Sequence, residues 1–164
     1  MDNKEKQFER MVQLYKQVMY TACYMFSKDE NEVADLLQET LTNLWKGIGR
    51  GNEAMLQASP DEQKAWAYRV ALNTCISWDR KKKKHPTVPL TMDVSPFADS
   101  DTRSRQAEML HRRISALQPF DRAIILLWLE DLSYEEIGNI LGLTAKNVSV
   151  RLVRIREQLK NMNQ

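Results

Sequence analysis

Apolar residues recur at helical spacing through most of the chain. Phe8, Met11, Val12, Tyr15, Val18, Met19, Ala22 and Met25 keep a 3.6-residue period and predict a long first helix. Ser27-Lys28-Asp29 interrupts it. Val33, Leu36, Leu37, Leu41, Leu44 and Trp45 predict a second helix, with Asp29, Glu30 and Glu32 at its positive dipole end. Gly47, Gly49 and Gly51 break that helix, and residues 53–58 are expected to form at most a helical turn within a loop. Ser59-Pro60-Asp61-Glu62 starts a third helix, with proline in its first turn. Trp66, Val70, Ala71, Thr74, Cys75 and Trp78 line it. From His85 to about Arg103 the period vanishes among Pro86, Pro89 and Pro96, which reads as a linker. Periodicity returns with Ala107, Leu110, Ile114 and Leu117, and an apolar helix is expected from Arg122 to Glu130.

The last third carries the most specific local signals. Ser133 with Glu136 three residues on is a capping box, in which each side chain satisfies a free backbone N–H of the other. Ile137, Ile140 and Leu141 give the short helix that follows one apolar face. Gly142 supplies a left-handed stop, Leu143 fills the corner and Thr144 caps the next helix. Two short helices joined by so tight a turn are the arrangement of a DNA-binding helix-turn-helix. At about 100° per residue, Val148, Leu152, Ile155 and Leu159 face the core. Lys146, Asn147, Ser149, Val150, Val153, Arg154 and Glu157 then point outward. Cations and an amide suit phosphates and base edges, and a valine suits a thymine methyl. The alternative is a helical hairpin whose polar face is only solvated.

The composition fits an all-α protein of two small domains joined by a flexible linker. Hydrophobic residues are 43% of 164, enough for a core, and five glycines and five prolines leave long stretches unbroken. A net charge of +2 conceals local asymmetry. Residues 61–85 carry seven Lys/Arg against three Asp/Glu, whereas residues 29–39 hold five acids and no base. Opposed patches point to two different partners. Cys23 and Cys75 lack metal-ligand or CxxC spacing and read as buried, reduced thiols. No apolar run is long enough to span a bilayer, and Met1–Lys6 is no signal peptide, so a cytoplasmic protein without membrane insertion is expected.

Three groups carry candidate chemistry. The run Arg80, Lys81, Lys82, Lys83 and Lys84 ends a helix bearing Trp66, Tyr68, Arg69, Asn73 and Trp78. Lysines and arginines pair with phosphates and exposed bases stack on rings. Alternatively, the rings are core, the reading favoured for Trp66 and Trp78, and the lysines serve a helix C-terminus. Asp35, Gln38 and Glu39 lie three to four residues apart on one helix, an acidic face that suits a basic protein partner or water. No His, Cys or Lys completes a catalytic or metal site there. His85 and His111 have no ligand-spaced companion, and phosphate-loop and nucleophile-elbow motifs are absent, so no enzyme activity and no cofactor are expected.

Three of these segments together resemble the bacterial RNA polymerase sigma factors of the extracytoplasmic-function group. Asp35-Leu36-Leu37-Gln38-Glu39-Thr40-Leu41 with Leu44-Trp45 is similar to that group's D-L-x-Q-E-x-F…W segment. Ala65-Trp66-Ala67-Tyr68-Arg69-Val70-Ala71-Leu72-Asn73-Thr74 is similar to W-L-Y-R-I-A-x-N, and Leu132–Gly138 to L-S-Y-E-E-I-A. The resemblance implies a docking and minus-ten domain at 1–84, a linker at 85–104 and a minus-thirty-five domain at 105–164. It implies that Asp35, Gln38, Glu39 and Trp45 dock on core RNA polymerase. Arg69 and Asn73 then meet the minus-ten element, with Arg80 to Lys84 on nearby phosphates. Lys146, Asn147, Ser149, Val150, Val153 and Arg154 meet the minus-thirty-five element. Promoter DNA, core RNA polymerase and an anti-sigma factor are the implied partners. A free-standing helix-turn-helix regulator is the alternative, though no dimer seam is visible. Two features depart from the group. Its V-x-S-R is here Val148-Ser149-Val150-Arg151. The loop from Gly47 to Lys64 lacks the F-R-x-x-x-x-F pattern of the loop that captures a flipped minus-ten base.

Overall fold

A computed structural model describes residues 3–27, 29–82 and 105–162. Its regular elements are helical, and two compact units divide at Asp99 and Ser100. The expected linker, with Lys83 and Lys84, lies outside the described residues.

The first unit packs three long helices against one another: α1 (Asn3–Phe26), α2 (Glu30–Gly47) and α3 (Pro60–Lys82). Met11, Tyr15, Met19 and Ala22 of α1 are buried, as the period predicts. The helix breaks step at Tyr15, whose backbone leaves the helical region (φ −116°, ψ 15°). Asp29 caps α2 by accepting from the Asn31 N–H at 2.9 Å. Val33, Leu36, Leu37 and Leu44 turn that helix's apolar face inward. The helix α3 buries a wider face because α1 and α2 both pack on it. Asn43 of α2 donates to the Thr74 hydroxyl of α3 at 2.9 Å, and that hydroxyl donates back to the Val70 carbonyl at 2.7 Å. Cys23 and Cys75 are fully buried free thiols, as expected.

Between α2 and α3 the chain forms a π-helical turn (Ile48–Asn52) and then a 3₁₀ turn (Glu53–Gln57). Gly51 sits at φ 111°, where only glycine is unstrained. Three contacts hold this loop. Gly47 lies against the Trp66 ring, so closely that a Cβ would come within 3.1 Å of it. Gln63 donates from Nε2 to the carbonyls of Met55 at 2.9 Å and Leu56 at 3.2 Å. The Tyr15 hydroxyl, at the break in α1, lies 3.1 Å from Gln63 Oε1 and 3.2 Å from the Pro60 carbonyl.

The second unit comprises α4 (Arg105–Ser115), α5 (Pro119–Leu129), α6 (Tyr134–Leu141) and α7 (Ala145–Asn161). Helix α5 begins at Pro119, three residues before the expected start at Arg122, because proline at the first helical position needs no N–H partner. Its residues 123–127 are buried almost completely. Arg122 is buried too, and its guanidinium donates to the Leu117 carbonyl through Nε at 3.3 Å and Nη2 at 3.1 Å. A Schellman motif ends α5: Leu132 N–H reaches the Leu127 carbonyl (3.4 Å) and Asp131 N–H the Trp128 carbonyl (3.0 Å). Asp131 occupies the left-handed position usually given to glycine (φ 63°).

Candidate nucleic-acid and polymerase interfaces

The helix-turn-helix forms as its local signals predict. Glu136 N–H donates to Ser133 Oγ at 3.1 Å, and Ser133 N–H donates to Glu136 Oε1 at 3.0 Å. The Ser133 N–H, and after it the Ser133 hydroxyl, hold the Glu136 carboxyl below its usual range, against a small opposing effect of desolvation. Gly142 adopts φ 77° and the Thr144 hydroxyl accepts from Asn147 N–H at 3.1 Å. The corner closes on Gly138. Its carbonyl accepts from Gly142 at 2.7 Å and Leu143 at 2.8 Å, and a Cβ there would overlap the Leu143 carbonyl oxygen. Leu143 itself is only half-buried, so the close fit at the corner is one of backbone on backbone.

Helix α7 buries Val148, Leu152 and Ile155 against the core and leaves Lys146, Asn147, Val150, Val153 and Arg154 exposed, with Ser149 half-buried. Its cations divide into two kinds. Arg154 and Lys146 stand in solvent. Arg151 instead turns toward α5, 3.9 Å from an Asp121 carboxylate oxygen and 5.2 Å from the Phe120 ring centroid. Arg156 lies over Trp128 at 5.1 Å. The two outward valines also differ. Val153, 60% exposed, borders a surface groove with Leu110, Trp128 and Leu129, whereas Val150 does not line it.

On α3 the exposed side chains of Arg69, Asn73 and Arg80 fall within about 40° of one another around the axis. Lys81 is exposed on the flank of that stripe. Lys82 ends the helix. Trp66 and Trp78 are buried, as the core reading favoured for them expects, and Tyr68 is buried with them at 1% exposure, so none of the three rings is open to stack on a base. A helix packed on two neighbours has no outward position left for them.

On α2, Asp35, Gln38, Glu39 and Trp45 share one side, about 120° wide. Gln38 and Glu39 are exposed and Asp35 is half-buried. Thr42 and Lys46 extend the same side; neither was singled out from the sequence, although the 3.6 period places both there. Trp45 is 40% exposed. Its ring meets the Phe8 ring edge-on at a centroid distance of 5.0 Å, and Lys4 Nζ lies 5.7 Å from its centroid. Among the described residues no cluster of His, Cys, Asp or Glu has the makings of a metal site, and no helix is long and apolar enough to cross a membrane.

Comparison with known proteins agrees with this geometry. The family model for sigma-70 region 2 matches residues 11–85, and that for sigma-70 region 4 matches residues 107–159. The chain is 27% identical over 157 residues to the ECF RNA polymerase sigma factor SigM of Bacillus subtilis, covering 93% of this chain and 92% of that one. It is 28% identical to SigW of the same organism (93% and 87% covered). To SigM of Mycobacterium tuberculosis it is 24% identical (94% and 76%). A solved structure of the sigma factor RpoE of Bartonella quintana, in complex with the anti-sigma factor NepR, superposes with a TM-score of 0.69. It is 19% identical and covers 95% of this chain and 96% of that one, a likeness of fold. With region 2 in the first unit and region 4 in the second, in that order, the chain belongs to the sigma-70 family of RNA polymerase sigma factors, in its extracytoplasmic-function group.

Proposed function

We infer that this protein is a transcription initiation factor that binds core RNA polymerase and directs it to a restricted set of promoters, catalysing no reaction of its own. It works in the cytoplasm, where its polymerase is. The observation that carries the reading is the split of α7: an apolar side buried in its own unit, and an outward side of Lys146, Asn147, Val150 and Arg154 with nothing of that unit covering it.

Three surfaces share the work. The acidic side of α2, with Asp35, Gln38, Glu39 and Trp45, docks on the polymerase. The α3 stripe of Arg69, Asn73, Arg80 and Lys81 runs along the minus-ten element, with cations on phosphates and the Asn73 amide able to donate to and accept from a base edge. Helix α7 enters the major groove at the minus-thirty-five element. Residues 1–84 form the docking and minus-ten domain and 105–164 the minus-thirty-five domain, joined through 85–104. Each DNA contact is weak alone. Joining them on one polymerase-bound chain makes the second contact intramolecular, which raises avidity without any new contact. Within α7, Val150 is the better candidate for a thymine methyl, because Val153 faces a groove lined by other apolar side chains. A structural relative is bound by an anti-sigma factor, and a protein inhibitor of that type is proposed for this chain as well.

Run-off transcription with purified core polymerase on restriction-cut DNA of the source organism tests the reading. Discrete transcripts that need both the polymerase and this chain are expected. A regulator acting alone would instead bind free duplex DNA tightly and start no transcript. Charge reversal at Asp35 and Glu39 is expected to weaken polymerase binding while helical circular dichroism stays unchanged.

A further inference from the structure

Trp45 is placed unlike the other large side chains of α2. Leu36, Leu37 and Leu44 are covered, and Trp66 and Trp78 of α3 are buried, yet 40% of Trp45 faces solvent. An exposed indole that continues into an apolar groove, as this one does through Phe8, marks a candidate interaction surface. The ring's orientation is defined from outside α2. Phe8 meets it edge-on, at 5.0 Å and 65°, and Lys4 sits above the ring at 5.7 Å. Both come from the first turns of α1. Phe8 also lines a surface groove of about 640 Å³ between α1 and α2, together with Val12 and Leu41 and the charged side chains of Lys6, Glu9 and Arg10.

We propose that Lys4 and Phe8 are positioning residues for Trp45, and that the groove of Phe8, Val12 and Leu41 extends the α2 side into a single docking surface for core RNA polymerase. The inference rests on the reading that α2 docks on that enzyme. Tryptophan is the side chain most often found to dominate a protein interface, and an interface gains most from an anchor ordered before binding. Phe8 and Lys4 supply that order. The occupant is defined by chemistry: a polymerase segment with cations to meet Asp35 and Glu39, and an apolar side chain to enter the groove beside Trp45. A surface acidic on one side and apolar on the other fits an amphipathic segment.

The test uses the full chain and measures affinity for core polymerase together with the thermal midpoint. Phe8→Ala is expected to weaken binding about three- to tenfold, the scale of an aromatic pair. Lys4→Ala, which alters only a surface cation, is expected to weaken it about two- to fivefold. Phe8→Tyr, which keeps the edge contact, restores binding to within about twofold. The Lys4→Ala/Trp45→Ala pair binds no worse than Trp45→Ala alone, because Lys4 does not line the groove and has no ring left to position. Additive losses in that pair overturn the proposal. So does unchanged affinity in both Phe8→Ala and Lys4→Ala when Asp35→Lys/Glu39→Lys is defective, and the α2 reading then stands. If the charge reversal also binds normally, the α2 reading itself fails and the proposal with it.

Discussion

Gln63→Met isolates the buried hydrogen bonds that hold the loop before α3. Methionine keeps the length and the apolar stem and removes every polar atom of the side chain. Gln63 is 9% exposed and uses all of its amide: Nε2 donates at 2.9 and 3.2 Å to Met55 and Leu56, and Oε1 lies 3.1 Å from the Tyr15 hydroxyl. In the variant, Tyr15 still reaches the Pro60 carbonyl, so its proton keeps an acceptor. The two loop carbonyls do not keep a donor. A neutral hydrogen bond contributes about 1 kcal/mol, and a buried acceptor left alone costs about 1–3 kcal/mol. The net loss is therefore about 2–3 kcal/mol, less whatever relief water reaching the loop provides. For a unit of this size that lowers the melting midpoint by roughly 10–20 °C. Tyr15→Phe removes one shared donor and should cost about 1 kcal/mol. The double variant should cost less than the sum, since the Tyr15–Gln63 contact is lost only once. Thermal unfolding of the full chain, followed by circular dichroism, reads all three. A Gln63→Met change below about 0.5 kcal/mol, the range of ordinary surface substitutions, would refute the claim that these bonds hold the loop.

Three further outcomes follow from the second unit. Glu136 has its carboxyl held below the ordinary range, so its contribution to stability is complete above the unfolded value and is lost as pH falls through the lower folded one. Melting between about pH 6 and pH 3 should therefore fall less steeply in Glu136→Gln, which keeps the capping geometry without the titration. Asp131→Gly should raise stability by about 0.5–1 kcal/mol by relieving the left-handed backbone at φ 63°, visible as a higher denaturation midpoint at an unchanged slope. Gly138→Val drives a branched side chain into the Leu143 and Thr144 backbone and should abolish minus-thirty-five binding in a gel shift, while polymerase binding through the first unit persists.

What was legible in the sequence was local. The capping box, the Gly142 stop and the Thr144 cap each act within four residues, so the helix-turn-helix followed from spacing alone. The period of α1 and the burial of Trp66 and Trp78 followed from amphipathic pattern. The features that escaped depend on where distant segments meet. Tyr15 and Gln63 lie far apart in the chain, and nothing near either shows that they touch. Gly138 looks like one more residue of an apolar face until the turn folds the Leu143 carbonyl onto it. Arg122 is polar by type and buried by position, where the Leu117 carbonyl accepts from both its Nε and its Nη2. Tyr68 sits in a run of cations and rings that suits bases as well as a core, and the two-sided packing of α3 encloses it. The side of α2 proposed to dock was legible as a stripe, but its Thr42 and Lys46 carried no motif to draw notice.

Arg151 and Arg156 reach from α7 onto Phe120, Asp121 and Trp128 of α5, so the angular setting of α7 is held by side chains other than those proposed to meet DNA. Genetically, promoter preference should then be heritable through α5. Substitutions at Phe120 or Trp128 that rotate α7 by a few degrees would shift which base pairs are favoured, without changing any residue on the outward face. Suppressors of a mutated minus-thirty-five element should accordingly arise in two classes: direct ones at Lys146, Asn147, Val150 or Arg154, and remote ones at the α5–α7 seam. The remote class would relax preference across several base pairs together, because turning a rigid helix moves all of its contacts at once.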